Sequence, residues 1–235
     1  MARIVKEQEY VEKRNEILDA ALRLVYTKGY ERMTIQDILD DLHISKGAFY
    51  HYFDAKQAVL EALIERMQQE VEQLLLPIVR DPDLPALEKL QRFLATIERS
   101  GMTHNAFIAD LLRVWFADDN AIVREKVYEA MIGRRTPLLT EIVHQGIQEG
   151  VFTTPYPDQL GEVILSLARG MGSTMARLML LFDQEGDESR FVEGVVATYA
   201  VYSDALERVL GAAPGYLLRL DTDAAKVWAS RLRDG

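Results

Sequence analysis

Residues 34–56, TIQDILDDLHISKGAFYHYFDAK, decide how this chain is read. Thr34 precedes an apolar series, Ile35, Ile38, Leu39 and Leu42, whose steps of three and four mark one buried helical face. Thr34 is a natural N-cap, and Asp37 three residues on makes a variant of the capping box. His43-Ile44 interrupts the periodicity, and Ser45 offers a second N-cap. The pattern predicts a short second helix over residues 46–52, anchored inward by Phe49 and Phe53 together with Ile44. Lys46, Gly47, Ala48, Tyr50, His51 and Tyr52 are left on the outside. A glycine inside a helix costs roughly 1 kcal/mol against alanine, so Gly47 needs a reason, and close approach to another backbone supplies one. Two helices joined by so tight a turn form a helix-turn-helix, whose second helix enters the major groove of DNA by its first residues.

In this stretch and just before it the chain resembles the TetR family of bacterial transcriptional regulators. The resemblance rests on a long first helix ending in Lys28-Gly29-Tyr30, then Met33-Thr34-Ile35 with Asp37-Ile38, then Ser45 through Phe53, and the closing Lys56. It implies phosphate contacts at Tyr50, Tyr52 and Lys56, and a DNA-facing segment made of Thr34, Ser45, Lys46, Gly47, Ala48, Tyr50, His51, Tyr52 and Lys56. The chemistry suits those roles: tyrosine hydroxyls and helix-end amides meet phosphate oxygens, while His51 can touch a base edge or a thymine methyl. Two positions depart from the family pattern. Ala48 has no hydrogen-bonding group where a polar residue is common, and Asp54 replaces a frequent lysine, which turns a phosphate contact into a helix cap.

Charge runs against a simple nucleic-acid footprint. The 235-residue chain carries a formal −10, and residues 1–56 hold nine Lys/Arg against ten Asp/Glu. What matters is the field at the contact face. From Ile44 to Tyr52 the only charged residue is Lys46, and an acidic bulk suppresses binding that scales with neutralised phosphates. The reading predicts few phosphate contacts, a shallow salt dependence and reliance on a dimer. Arg3 and Lys6 read either as a flexible arm that reaches a minor groove or, more simply, as a disordered arm.

Composition agrees with a globular protein: 49% apolar, 27% charged and few Gly or Pro. The absence of cysteine removes disulfides, thiolate metal sites and cysteine nucleophiles. The first ten residues do not form a signal peptide, and the densest apolar run, residues 178–182, is too short to span a bilayer. A cytoplasmic protein without membrane partners is the expectation.

No strand-type alternation persists, so the fold expected is all-α: a helix-turn-helix domain over residues 1–54, and a larger helical domain over residues 55–235 for effector binding and dimerisation. Residues 7–28 read as a first helix stopped by Gly29. Asp54 should cap a helix that Pro77 kinks or ends near Leu76. Further helices are expected to about Arg99, from Thr103 to Phe116, and from Asp118 or Asp119 to Gly150, with an irregularity at Gly133 and Pro137. Asp158 should cap a long helix to about Asp183, followed after Gly186-Asp187 by another to about Leu210. These two are apolar round most of their circumference, which asks for burial on two sides and points to a two-fold homodimer through residues 158–183 and 187–210. Gly161, Gly170, Gly172 and Ser173 would permit close helix approach there. The resemblance implies the same four-helix pairing.

The resemblance also implies an effector pocket among the middle helices. Candidate lining residues are Met102, His104, Phe107, Leu111, Trp115, Tyr128, His144, Met171 and Met175, although methionines and aromatics at helical spacing are more often plain core. Arg113 and Arg169 sit in apolar stretches and offer either a cation for an acidic ligand or a salt bridge. Nothing points to a cofactor or to catalysis: the four histidines are scattered, and neither metal-ligand spacing nor a phosphate-binding glycine loop is present. The function expected is a homodimeric repressor that binds a palindromic operator and is released by a largely apolar small molecule. A helical protein-interaction module, or a regulator that activates or ignores ligand, is the alternative.

Overall fold

In a computed structural model of the chain, which describes residues 2–101, 108–215, 217, 220 and 222–233, every regular element is helical. The helices are α1 (Ala2–Lys28), α2 (Ile35–Leu42), α3 (Lys46–Tyr50), α4 (Lys56–Arg80), α5 (Ala86–Gly101), α6 (Ile108–Phe116), α7 (Ala121–Gln148), α8 (Pro157–Glu185), α9 (Glu188–Leu210) and α10 (Thr222–Arg233). A 3-10 turn, Asp118–Asn120, leads into α7. The chain divides into two compact units, one of residues 1–68 with 113–130, the other of residues 69–112 with 131–235.

The first unit closes around α1, which offers Ile17, Leu18, Ala20, Ala21 and Val25 to a core shared with Ile38, Leu39, Phe49, Phe53, Val59, Leu60 and Val123. Its helix starts at Ala2, so the backbone of residues 2–6 is helical and not a disordered arm. Gly29 ends α1 at φ 83°, a left-handed conformation that an L-side chain resists, as the C′ reading anticipates. Residues 113–130 are tied in by Asn120, which is fully buried. Its side-chain oxygen accepts from Tyr30 N–H at 2.7 Å, and its amide nitrogen donates to the carbonyls of Val114 at 2.9 Å and Val25 at 3.3 Å. Glu31 N–H donates to Asp119 C=O at 3.0 Å beside it. One asparagine thus satisfies three backbone groups that burial would otherwise strand.

The second unit has two apolar clusters. One gathers Leu75, Val79, Leu90, Phe93, Leu139, Ile142, Phe152, Ile164 and Leu210; the other gathers Met175, Met179, Phe182, Phe191, Val195, Tyr199, Ala225 and Ala229. Pro77 does not end α4, which continues to Arg80, and Pro137 lies inside an unbroken α7. An internal proline costs about 3 kcal/mol. Buried side chains on either side offset it, Leu75 and Val79 around Pro77 and Leu138, Leu139 and Ile142 after Pro137.

Other local expectations meet a different outcome. The N-cap of α8 is Tyr156 without a side-chain bond, while Asp158 pairs with His144 at 2.8 Å. Gly186 in the left-handed region and Asp187 accepting from Arg190 N–H do separate α8 from α9. Gly161 and Gly170 face neighbours in the same chain: a Cβ would sit 2.6 Å from Thr136 O at the first and 2.8 Å from the Tyr202 hydroxyl at the second. Their smallness therefore serves the packing of α8 against α7 and α9. The helix α10 follows no strong sequence signal, yet Ala225 and Ala229 bury one face of it completely. Thr103 lies outside the described residues.

Candidate nucleic-acid interface

Short-range bonds set the start of α2 and the turn that joins α2 to α3. Thr34 Oγ1 accepts from Asp37 N–H at 3.2 Å, and Asp37 Oδ2 accepts from Thr34 N–H and from the Thr34 hydroxyl, each at 2.8 Å. Lys28 Nζ lies 2.5 Å from Asp37 Oδ1. Bonds from Lys28 and Thr34 to the charged form hold the Asp37 carboxyl at a pKa of about 2. His43 takes the left-handed conformation, φ 52°, and its N–H returns to Leu39 C=O. Ser45 Oγ then caps α3 by accepting from Ala48 N–H at 3.2 Å.

The helix α3 ends at Tyr50, two residues earlier than the pattern predicts, and Tyr52 N–H closes a tighter turn onto Phe49 C=O. Phe49 is fully buried and Phe53 nearly so, which fixes the outward face by the inward one. Asp54 is not a cap: α4 begins at Lys56, with Val59 N–H bonding Ala55 C=O. Asp54 is simply exposed.

Lys46, Gly47 and His51 stand exposed and Tyr50 is 43% accessible, while Ala48 and Tyr52 are half-buried. Tyr52 packs its ring on Tyr10 of α1 at 4.8 Å between centroids, and His51 meets the same ring edge-on at 5.6 Å. Tyr10 therefore orients both, a role with no signal in the local sequence. A Cβ on Gly47 would meet nothing closer than Ser45 Oγ at 3.9 Å, so the chain itself gives no reason for a glycine there.

Lys56 behaves differently from the other members of the set. Its ammonium donates to the carbonyls of Tyr30 at 2.8 Å, Met33 at 2.9 Å and Glu31 at 3.3 Å, and lies 4.3 Å from the centroid of the Tyr30 ring. All three N–H donors have partners inside the fold, and the residue locks the loop between α1 and α2. The acidic residues of α2 are largely neutralised in place, Asp37 by Lys28 and Asp41 by Arg23 at 2.6 Å. Lys46 is thus left as the cation on the face of α3.

Residues 17–63 match the family described as bacterial regulatory proteins, tetR family, and residues 115–175 match the tetracyclin repressor-like C-terminal domain. These two segments are similar to the N-terminal and C-terminal domains of TetR-family regulators. It is 44% identical over 52 residues to an uncharacterized HTH-type transcriptional regulator in the lacX 3' region of Lactococcus lactis, a match covering 22% of this chain. It is 31% identical over 102 residues, 43% of this chain, to the uncharacterized HTH-type transcriptional regulator YuxN of Bacillus subtilis. These matches span only 26% and 35% of the two relatives. Among solved structures, the fold is similar to a transcriptional regulator from Cytophaga hutchinsonii, with TM-score 0.58, 19% identity, 84% of this chain and 98% of that one covered.

Within the second unit lies a cavity of about 240 Å³. Of the candidate lining residues Met171 and Met175 face this cavity, joined by Leu94, Met179, Leu206 and Trp228, which were not among the candidates. The other candidates fall elsewhere. Trp115 packs at the edge of the first unit's core and Tyr128 belongs to that unit. His144 is exposed and paired with Asp158. Met102, His104 and Phe107 lie outside the described residues, as does the side chain of Leu111. Arg113 and Arg169 are exposed, so neither is a buried counter-charge; the buried arginine is Arg135, whose pKa burial lowers to about 10. Among the described residues no cluster of His, Asp and Glu could hold a metal, and no helix is long and apolar enough to cross a membrane.

Proposed function

We propose that this TetR-family chain is a homodimeric DNA-binding repressor, controlled by a small molecule held in the cavity of its second unit. The observation that carries the reading is the face of α3. Phe49 and Phe53 clamp the helix from behind, while Lys46, Tyr50 and His51 project, with Gly47 open to its surroundings. That face suits a phosphate backbone and a groove edge: Gly47 lets a sugar–phosphate strand come close, Lys46 supplies charge and Tyr50 a hydroxyl. Ser45, Ala48, His51 and Tyr52 complete the contact segment, together with Thr34 and the N-terminal amides of α2 that it caps. Lys56 is assigned to holding the loop, not to phosphate.

Pairing of two copies is supported by α8 and α9, which keep apolar groups outside after packing on each other. Val163 and Leu181 on α8 are 37% and 38% accessible, and Val201 on α9 is 65% accessible. A two-fold dimer through these helices would set two α3 helices into successive major grooves, about 34–36 Å apart. Control by ligand is supported by the order of the chain. Leu112 lines the cavity, and eight residues later Asn120 is bonded to Tyr30 and Val25 of the helix-turn-helix unit. A ligand that resets this segment alters the presentation of α3. A coupling of about 1–3 kcal/mol corresponds to roughly 5- to 150-fold in operator affinity.

Fluorescence anisotropy on a sequence-selected duplex tests the reading. Lys46→Ala combined with Tyr50→Phe should weaken binding at least about tenfold, the effect of losing roughly 1.4 kcal/mol, with an unchanged melting temperature. Unaltered affinity in that double variant rules out α3 as the contact helix.

A further inference from the structure

The cavity is largely apolar, and one carboxylate lies in its wall. Of the described residues that line it, Glu98 of α5 is the only one with a carboxylic acid or a basic group; Met171, Met175, Met179, Tyr202 and Trp228 share the lining with it. Glu98 accepts a short hydrogen bond from the Tyr199 hydroxyl, and among the described residues no cation pairs with it. Burial and the neighbouring carboxylate push the Tyr199 phenol up, so it stays a neutral donor to Glu98. The Tyr199 ring meets Trp228 edge-on at 6.0 Å between centroids, which continues the aromatic wall from the carboxylate into the cavity.

From this geometry we infer that the effector is a small lipophilic cation, an amine or quaternary ammonium on an apolar body, with Glu98 as its counter-charge. The inference rests on the reading of the cavity as the effector site. A carboxylate beside an apolar surface loses hydration when a ligand fills the space. A neutral occupant leaves that loss uncompensated, an anion adds repulsion, and a cation restores the missing partner. Aromatic faces favour weakly hydrated ammonium groups, and three methionine side chains can mould around varied apolar bodies. Size limits the class as well. A cavity of 150 Å³ accepts benzene, so about 240 Å³ suits a ligand on the order of ten non-hydrogen atoms.

Benzyltrimethylammonium and neopentylbenzene form a matched pair: they have the same shape and differ in one nitrogen and one charge. Calorimetric or NMR titration of each into the full chain, without DNA, reads the preference directly. The ammonium compound should bind about tenfold or more tighter than the hydrocarbon, and Glu98→Gln should erase that difference while the hydrocarbon binds as well as before. Equal or tighter binding of the hydrocarbon to the unaltered chain overturns the inference, and this comparison holds even if the variant folds poorly. Failure of both compounds to bind, or a cation preference that survives in a folded Glu98→Gln, overturns it too. Repeating the titration on the operator complex separates the two claims. Cation binding that leaves operator affinity unchanged would sink the regulatory reading of the cavity but keep Glu98 as a cation site.

Discussion

The two halves of this molecule handle buried space in opposite ways. In the helix-turn-helix unit Phe49 and Ile38 are fully buried and Asn120 satisfies three backbone groups at once. The second unit keeps an opening of about 240 Å³ walled by flexible methionines, with a carboxylate at its edge. A rigid presentation of α3 requires the first arrangement, and a responsive site requires the second. Precision and adaptability are thus assigned to different cores.

The sharpest way to break this contrast is to truncate one side chain in each. Phe49→Ala empties a packed core and should cost about 3–5 kcal/mol, enough to abolish the α3 face. Met175→Ala enlarges a space that already exists, and should cost about 2 kcal/mol or less, the lower end for such truncations. Urea unfolding curves compare them; similar losses would show that the cavity wall is packed as tightly as the helix-turn-helix. Asn120→Ala should come next, at about 1–3 kcal/mol, because Tyr30 N–H and the carbonyls of Val25 and Val114 lose a buried partner together. Hydrogen exchange at Tyr30 checks it: the amide should lose protection first there.

What the sequence makes legible divides along the same line. The helix-turn-helix announces itself because its determinants are local: Thr34 bonding Asp37, Ser45 bonding Ala48, glycine at 29, two phenylalanines one helical turn apart. Each lies within a few residues of its partner, so spacing alone reveals it. Lys56 reaches back 26 residues to Tyr30, and Asn120 reaches 90 residues to the same residue. No window of sequence contains those pairs, which explains why Lys56 reads as a phosphate ligand and Asn120 as nothing at all. Pro77 and Pro137 mislead for a related reason, since burial of their neighbours outweighs the local penalty. In the cavity, Met171 and Met175 stand out by type, but Glu98, Tyr199 and Trp228 come together only through the packing of α5, α9 and α10.

Two smaller effects sharpen the account of the interface. Lys46→Ala should flatten the salt dependence of operator binding by about one unit of slope per copy, close to the −0.9 that each released counterion contributes. An unchanged slope would show that Lys46 meets no phosphate. Asp37 contributes through its low pKa. A carboxyl depressed in the folded state adds stability that is present above its unfolded pKa and is lost as pH falls through the folded value of about 2. Asp37→Asn should therefore be less stable than the unaltered chain above roughly pH 4, with the gap closing toward pH 2. Melting temperatures across that range check the sign; a gap that persists undiminished at pH 2 would assign the effect to packing.

The most direct test of the central claim, that two α3 helices read DNA as a pair, is selection from a random duplex pool followed by sizing of the complex. The account predicts an inverted repeat with half-site centres about one helical turn apart, occupied by chains in multiples of two. Recovery of no shared sequence, or of a single half-site bound by one chain, would contradict it.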